Sequence, residues 1–149
     1  MPTSFRPVIL ALIILILPSC TWRDGTPRPD CDIQSGACIR PIAGSATVVT
    51  FDLTPKPVRA MAELRASVAV TRDGAPVTGA TVSLDFSMPG MVMAPNRTSL
   101  REAGNGVYEG TVVVVRCPSG QELWEARIDI DHASGGRESV SFMIEVKSR

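Results

Sequence analysis

The chain has 149 residues, with 15 basic and 15 acidic side chains and a formal net charge of zero. A balanced charge of this kind offers no clustered Lys and Arg to grip phosphates, which speaks against a nucleic-acid partner. The length suits a short leader followed by one domain able to bury an adequate core.

The leader comes first. Arg6 is followed by the uncharged run Val8–Leu17. One basic residue ahead of a short apolar stretch is the layout of a secretory signal, here residues 1–19. The run is too short for a spanning helix, which needs about 20 apolar residues. It ends at Leu17-Pro18-Ser19-Cys20. That tetrapeptide resembles the lipobox of bacterial lipoproteins, in which the cysteine is lipidated and becomes the mature N-terminus. The expectation is an exported chain of the bacterial cell envelope, held to a membrane by acyl groups on Cys20. In a diderm cell, Thr21 after the cysteine favours the outer membrane facing the periplasm, by resemblance to known sorting signals.

Residues 20–46 are rich in Pro, Gly, Asp and Arg and lack apolar periodicity, so they read as a tether. Export puts Cys31, Cys38 and Cys117 in an oxidising space. With Cys20 lipidated the count is odd, and at least one thiol stays unpaired within a monomer. A Cys31–Cys38 bridge closes a small loop and leaves Cys117 free. Pairing of either one with Cys117 stays open, and the Cys31/Cys38 spacing matches no zinc pattern.

From residue 47 the chain alternates. Val49, Phe51 and Leu53 share a face, and Pro55 and Pro57 end the run. Leu64, Ala66, Val68 and Val70 alternate next, up to the Asp73-Gly74 turn. Val82, Leu84 and Phe86 repeat the pattern ahead of Ser87-Met88-Pro89-Gly90-Met91-Val92-Met93-Ala94-Pro95. Arg97–Glu102 reads as a short polar edge strand. Val107–Arg116, with Val112–Val115 consecutive, reads as a central strand apolar on both faces. Trp124, Ala126, Ile128 and Ile130 alternate after the Cys117 turn, and Val140, Phe142, Ile144 and Val146 close the chain. Seven strands with one-sided alternation and no helix predict an all-β, immunoglobulin-like antiparallel β-sandwich over residues 47–149.

Strand direction then sorts the loops. If seven strands run alternately up and down, the Pro55–Ala60 loop, the methionine turn and the Cys117 turn share one end. Asp73-Gly74, Gly104–Gly106 and His132 share the other, and the tether joins there. Met61, Met88, Met91, Met93 and Cys117 would then point away from the membrane.

Three stretches carry a family resemblance: Ser87–Met93, Gly104-Asn105-Gly106-Val107-Tyr108-Glu109-Gly110, and Gly120-Gln121-Glu122-Leu123-Trp124-Glu125-Ala126. In this order they resemble the YtkA-like domain, over about residues 48–146. The resemblance implies a small immunoglobulin-like domain on exported or membrane-attached bacterial proteins, some of which accompany copper handling or oxidase assembly. The spacing between Gly120 and Trp124 is longer than the family's, and Cys117 is not general to it.

Two functions compete. Thioethers and thiolate select Cu(I) over harder metals, which makes Met91, Met93 and Cys117, with Met88, a candidate Cu(I) site for binding or handing over the ion. The plainer alternative has Met88 continue the inward parity of Phe86 and makes the sulfurs core filler. The domain is then a non-catalytic interaction module for an envelope protein partner, without metal. An enzyme is not expected: His132 is the sole histidine, and no nucleophile elbow or phosphate loop is present.

Overall fold

The computed structural model describes residues 27–148 together with Met1. The signal, the apolar run and Cys20 lie outside the described residues. Nine strands and no helix occur among those described. They are β1 (Cys38–Pro41), β2 (Thr47–Thr54), β3 (Glu63–Arg72), β4 (Ala75–Pro76), β5 (Thr81–Ser87), β6 (Arg97–Gly104), β7 (Val107–Val113), β8 (Leu123–Asp131) and β9 (Arg137–Glu145).

The architecture is the all-β antiparallel sandwich that the alternation predicts. Neighbours follow the order β1-β2-β3-β7-β6-β5-β8-β9, with β4 on β3, and every strand pair is antiparallel. The inward residues of β2, β3, β5, β8 and β9 are buried together around Trp124, Tyr108, Phe51, Phe86 and Phe142. Period-2 sequences place one face of each strand on this shared core.

Three expectations change. First, β6 is no edge strand. Its first half pairs with β5 (Ser83↔Ser99, Leu84↔Thr98) and its second half with β7 (Arg101↔Glu109). It therefore crosses between the layers. Gly110 allows the crossing, since a Cβ there would stand 2.8 Å from the Leu100 side chain. Second, the end of the β7 segment is apolar on both faces but buried on one. Val112 and Val114 are in the core, and Val113 and Val115 are exposed.

Third, residues 30–46 are not a tether. Ile33 and Cys38 are fully buried in the core. β1 pairs with β2 from Cys38↔Phe51 to Pro41↔Val48. Cys31 and Cys38 are joined by a disulfide, with Cα atoms 5.8 Å apart. The domain thus begins before Ile33 rather than at residue 47. The sequence hid this because four residues ending in Pro show no period, and the order comes from the bridge and from contacts to distant strands.

Those contacts form a seam along β9. Glu138 accepts from Ser45, Thr47 and Arg72; Arg40 donates to Ser141 O; Asp30 N donates to Met143 O at 2.7 Å; Gln34 Nε2 donates to Glu145 O at 2.9 Å. The segment around β1 thereby covers the open edge of β9. Edges covered this way are protected from pairing with other chains.

Adding β1 also reverses where the chain enters. β1 runs antiparallel to β2, so its first residue lies beside the end of β2, not the start. The N-terminal stretch therefore joins the sandwich at the end that holds the Pro55–Ala60 loop, the methionine turn and the Cys117 turn. We call this the methionine end and its opposite the histidine end. The sulfur-bearing loops face the side from which the chain arrives, contrary to the seven-strand expectation.

Candidate functional site at the methionine end

Three loops build this end. The methionine loop leaves β5 at Ser87. Met91 N donates to Met88 O at 3.2 Å, closing a tight turn around Gly90, whose φ of 75° suits a residue without Cβ. Its far side is pinned by Asn96. Asn96 N donates to Asp85 Oδ1 at 3.1 Å, Asn96 O accepts from Phe86 N at 3.1 Å, and Asn96 Nδ2 donates to Val113 O at 3.1 Å. The second loop, Pro55–Ala62, opens with the cis peptides Thr54-Pro55 and Lys56-Pro57 and returns at Met61, whose N–H donates to Val114 O at 2.8 Å. In the third, Gly120 N donates to Cys117 O at 3.0 Å. A cleft of about 290 Å³ between Pro27, Pro89, Gln121, Glu122 and Leu123 joins the first and third loops to the arriving chain.

Side-chain placement divides the sulfurs. Met88 and Cys117 are buried in the core, and Met93 is half-buried against it. Met91 is 41% exposed and Met61 62% exposed. Met88 thus plugs the sandwich as its strand parity dictates. Cys117 Sγ lies 2.9 Å from Ser119 Oγ. That hydroxyl, opposed by desolvation and helped by the turn's backbone N–H groups, holds the thiol below its ordinary pKa. Ser119, not the neighbouring Arg116, supplies the shift. Among the described residues no group of three or more His, Cys, Asp and Glu is placed to hold a metal. Any site here must therefore draw on thioethers.

The same end exposes apolar carbon. Met61, Met91, Val92, Val113 and Val115 are exposed there, with Val92 wholly open to solvent. Sequence reasoning placed the methionines at one end through strand direction but missed Val113 and Val115, because a four-valine run reads as doubly buried. It also missed Gln34, which ties the arriving chain down. Gln34 Nε2 donates to Val58 O at 3.1 Å, and Val58 N donates to Gln34 Oε1 at 2.7 Å.

The histidine end is a polar latch. His132 Nε2 lies 2.7 Å from Glu138 Oε2, and Arg72 Nη2 donates to the same oxygen at 2.9 Å. Burial pushes the Glu138 carboxyl up. Hydrogen bonds from Ser45, His132, Thr47 and Arg72 outweigh it and bring the pKa down from 4.5 to about 2. These partners come from both layers, so the cluster locks β9 to the β2–β3 side. His132 and Cys117 stand at opposite ends of the strands.

An antiparallel sandwich with its edges sealed and its loops gathered at two ends is a scaffold for loop-borne sites. Residues 44–116 match the model of the YtkA-like family, and the chain carries a YtkA-like domain over that stretch. The match spans β2 to β7 and stops before Gly120–Ala126, so β8 and β9, which complete the core, lie beyond it. A search of curated proteins gave no match. Among solved structures the chain is similar to a DUF4785 family protein from Legionella pneumophila, at 17% identity and a TM-score of 0.49. That alignment covers 71% of this chain and 30% of the other, so the chain spans under a third of that protein's length.

Proposed function

We propose that this protein is a lipid-anchored, non-catalytic domain of the bacterial cell envelope that makes its contacts through the methionine end. The observation that carries the reading is the concentration of exposed apolar side chains there: Met61, Met91, Val92, Val113 and Val115, against Ile39 elsewhere on the sandwich. Exposed apolar carbon gathered on one patch marks a contact surface. The lipobox-like Leu17-Pro18-Ser19-Cys20 supports the anchor. Support for a non-catalytic role comes from His132, which is engaged with Glu138 in a structural latch away from the only free thiol among the described residues. Photo-crosslinking in cells tests the reading. Probes at Val92 and Val113 are expected to capture a neighbour, and probes at Ser134 and Ala103 on the histidine end are not. Capture from the histidine end alone overturns it.

A second reading keeps Cu(I) at this end, with Met91 and Met93 as thioethers and Cys117 as thiolate. It is favoured by the lowered Cys117 pKa at the same end of the strands as two loop methionines that are exposed or half-buried. Soft sulfur ligands prefer Cu(I) to Zn(II). Competition against a Cu(I) chelator decides: the Met91→Leu/Met93→Leu pair should weaken binding while costing under about 1.5 kcal/mol of stability. Met88→Leu should alter stability rather than affinity. Equal affinities in wild type and the double variant, or no binding by wild type, return the sulfurs to packing roles.

A further inference from the structure

We propose that the methionine end docks on a lipid bilayer, with the Gly90–Met93 tip entering the headgroup layer beside the protein's own anchor. The proposal deepens the contact reading above and rests on the lipidated Cys20.

The apolar side chains of this end form one rim. Met61 N donates to Val114 O, and Asn96 Nδ2 donates to Val113 O. These bonds bring the Met61 turn and the methionine loop against the end of the β7 segment, where Val113 and Val115 point outward. Val92 is wholly exposed at the loop, next to Met91. Met61 holds a φ of 62°, a left-handed backbone that L-residues other than Asn and Asp avoid, and yet its side chain is 62% exposed. Apolar side chains held out on two loops and at the end of the β7 segment serve no purpose in the core.

The anchor supplies the occupant. The described chain begins at Pro27, which lines the same cleft as Pro89 of the methionine loop. Between Cys20 and Pro27 the chain can extend at most about 25 Å. Acyl groups on Cys20 therefore keep this end, and not the histidine end, at the bilayer. The alternation of strand direction has put the exposed rim and the tether on one side of the molecule.

Charge fits the same occupant. Arg59 precedes Met61 by two residues, and Arg116 follows Val115 directly. Both are exposed, and neither has a carboxylate in ion-pair range among the described residues. Opposing charge comes from Glu63, opposite Val113 in the β3–β7 pair, and from Glu122, which lines the Pro27–Pro89 cleft and is paired with Lys147. Apolar tips flanked by arginine suit an anionic headgroup layer, where guanidinium stays at phosphate depth and the apolar atoms go below it.

The test uses the mature, acylated chain reconstituted into vesicles of phosphatidylcholine and phosphatidylglycerol. An environment-sensitive fluorophore is placed at Val92→Cys or Met61→Cys, and for comparison at Ser134→Cys or Ala103→Cys, all on a Cys117→Ser background. Expected at positions 92 and 61 are blue-shifted emission, quenching by nitroxide lipids and protection from iodide. Positions 134 and 103 should show none of these. Val92→Asp should abolish the nitroxide quenching at position 61 without changing the melting temperature, and Arg59→Gln with Arg116→Gln should reduce it. A position 92 that stays open to iodide on acylated protein overturns docking alone. A position 92 shielded from both iodide and nitroxide lipid overturns it in favour of a protein contact. A mature chain that carries no acyl group overturns docking and the anchored reading together.

Discussion

Gly106 and Glu138 show how single residues hold the histidine end. Gly106 has a φ of 71°, and a Cβ added there would stand 2.7 Å from Val70 O and 2.9 Å from Val77 N. Both are backbone atoms and cannot swing aside. Gly106→Ala should therefore cost more than the left-handed penalty of about 1–2 kcal/mol alone. Gly104→Ala, with open space around its Cβ, should cost only that penalty. Chemical denaturation of the two variants checks the difference. For Glu138, the folded pKa of about 2 lies below the ordinary 4.5, so its stabilisation is complete above about pH 5 and is lost as pH falls toward 2. The shift corresponds to at most about 3–4 kcal/mol. Glu138→Gln should lower stability at neutral pH and flatten the acid limb of the urea midpoint against pH. An unchanged acid limb would assign that limb to other carboxylates.

At the scale of elements, legibility followed periodicity. The strands that alternate over five or more residues were readable, because a sandwich buries every second side chain and leaves the rest wet. β1 was not readable. Its four residues bury Cys38 and end in Pro41, and they are ordered by the Cys31 bridge, by Arg40 on Asp30 and Ser141, and by Ile33 in the core. None of these leaves a local pattern. The error spread beyond β1, because one missing antiparallel strand reverses the end at which the chain enters. The gathering of Met88, Met91, Met93 and Cys117 at one end was legible from strand direction. Their division into buried and exposed was not, since loop side chains carry no parity. Cys31→Ser with Cys38→Ser should cost about 2.5 kcal/mol of loop entropy, plus the loosened docking of Ile33. Hydrogen exchange at the Asp30 and Met143 amides should rise together in that variant. Exchange rates like those of wild type would mean that the seam holds β1 without the bridge.

For the whole molecule, the anchor proposed at Cys20 would set where everything else points. Mass spectrometry of the mature N-terminus should find Cys20 carrying more than one acyl chain, since a single chain holds a protein at a membrane only marginally. A mature N-terminus elsewhere would detach the orientation argument from the fold. In the anchored reading the methionine end would face the bilayer and the histidine end would face outward, while residues 30–40 cover the open edge of β9.

The way the chain enters also decides how the domain bears a pull. In the anchored reading proposed above, tension from the lipid reaches Asp30, which Met143 of β9 holds, and then passes through the Cys31–Cys38 bridge to the start of β1. β1 is then drawn along its own axis, out past the end of β2. All four of its registered positions, from Cys38↔Phe51 to Pro41↔Val48, share the load at once instead of yielding one by one. A pull applied there would meet the sandwich in shear, the direction in which a short strand resists best, and the bridge would carry that force from residue 31 to β1.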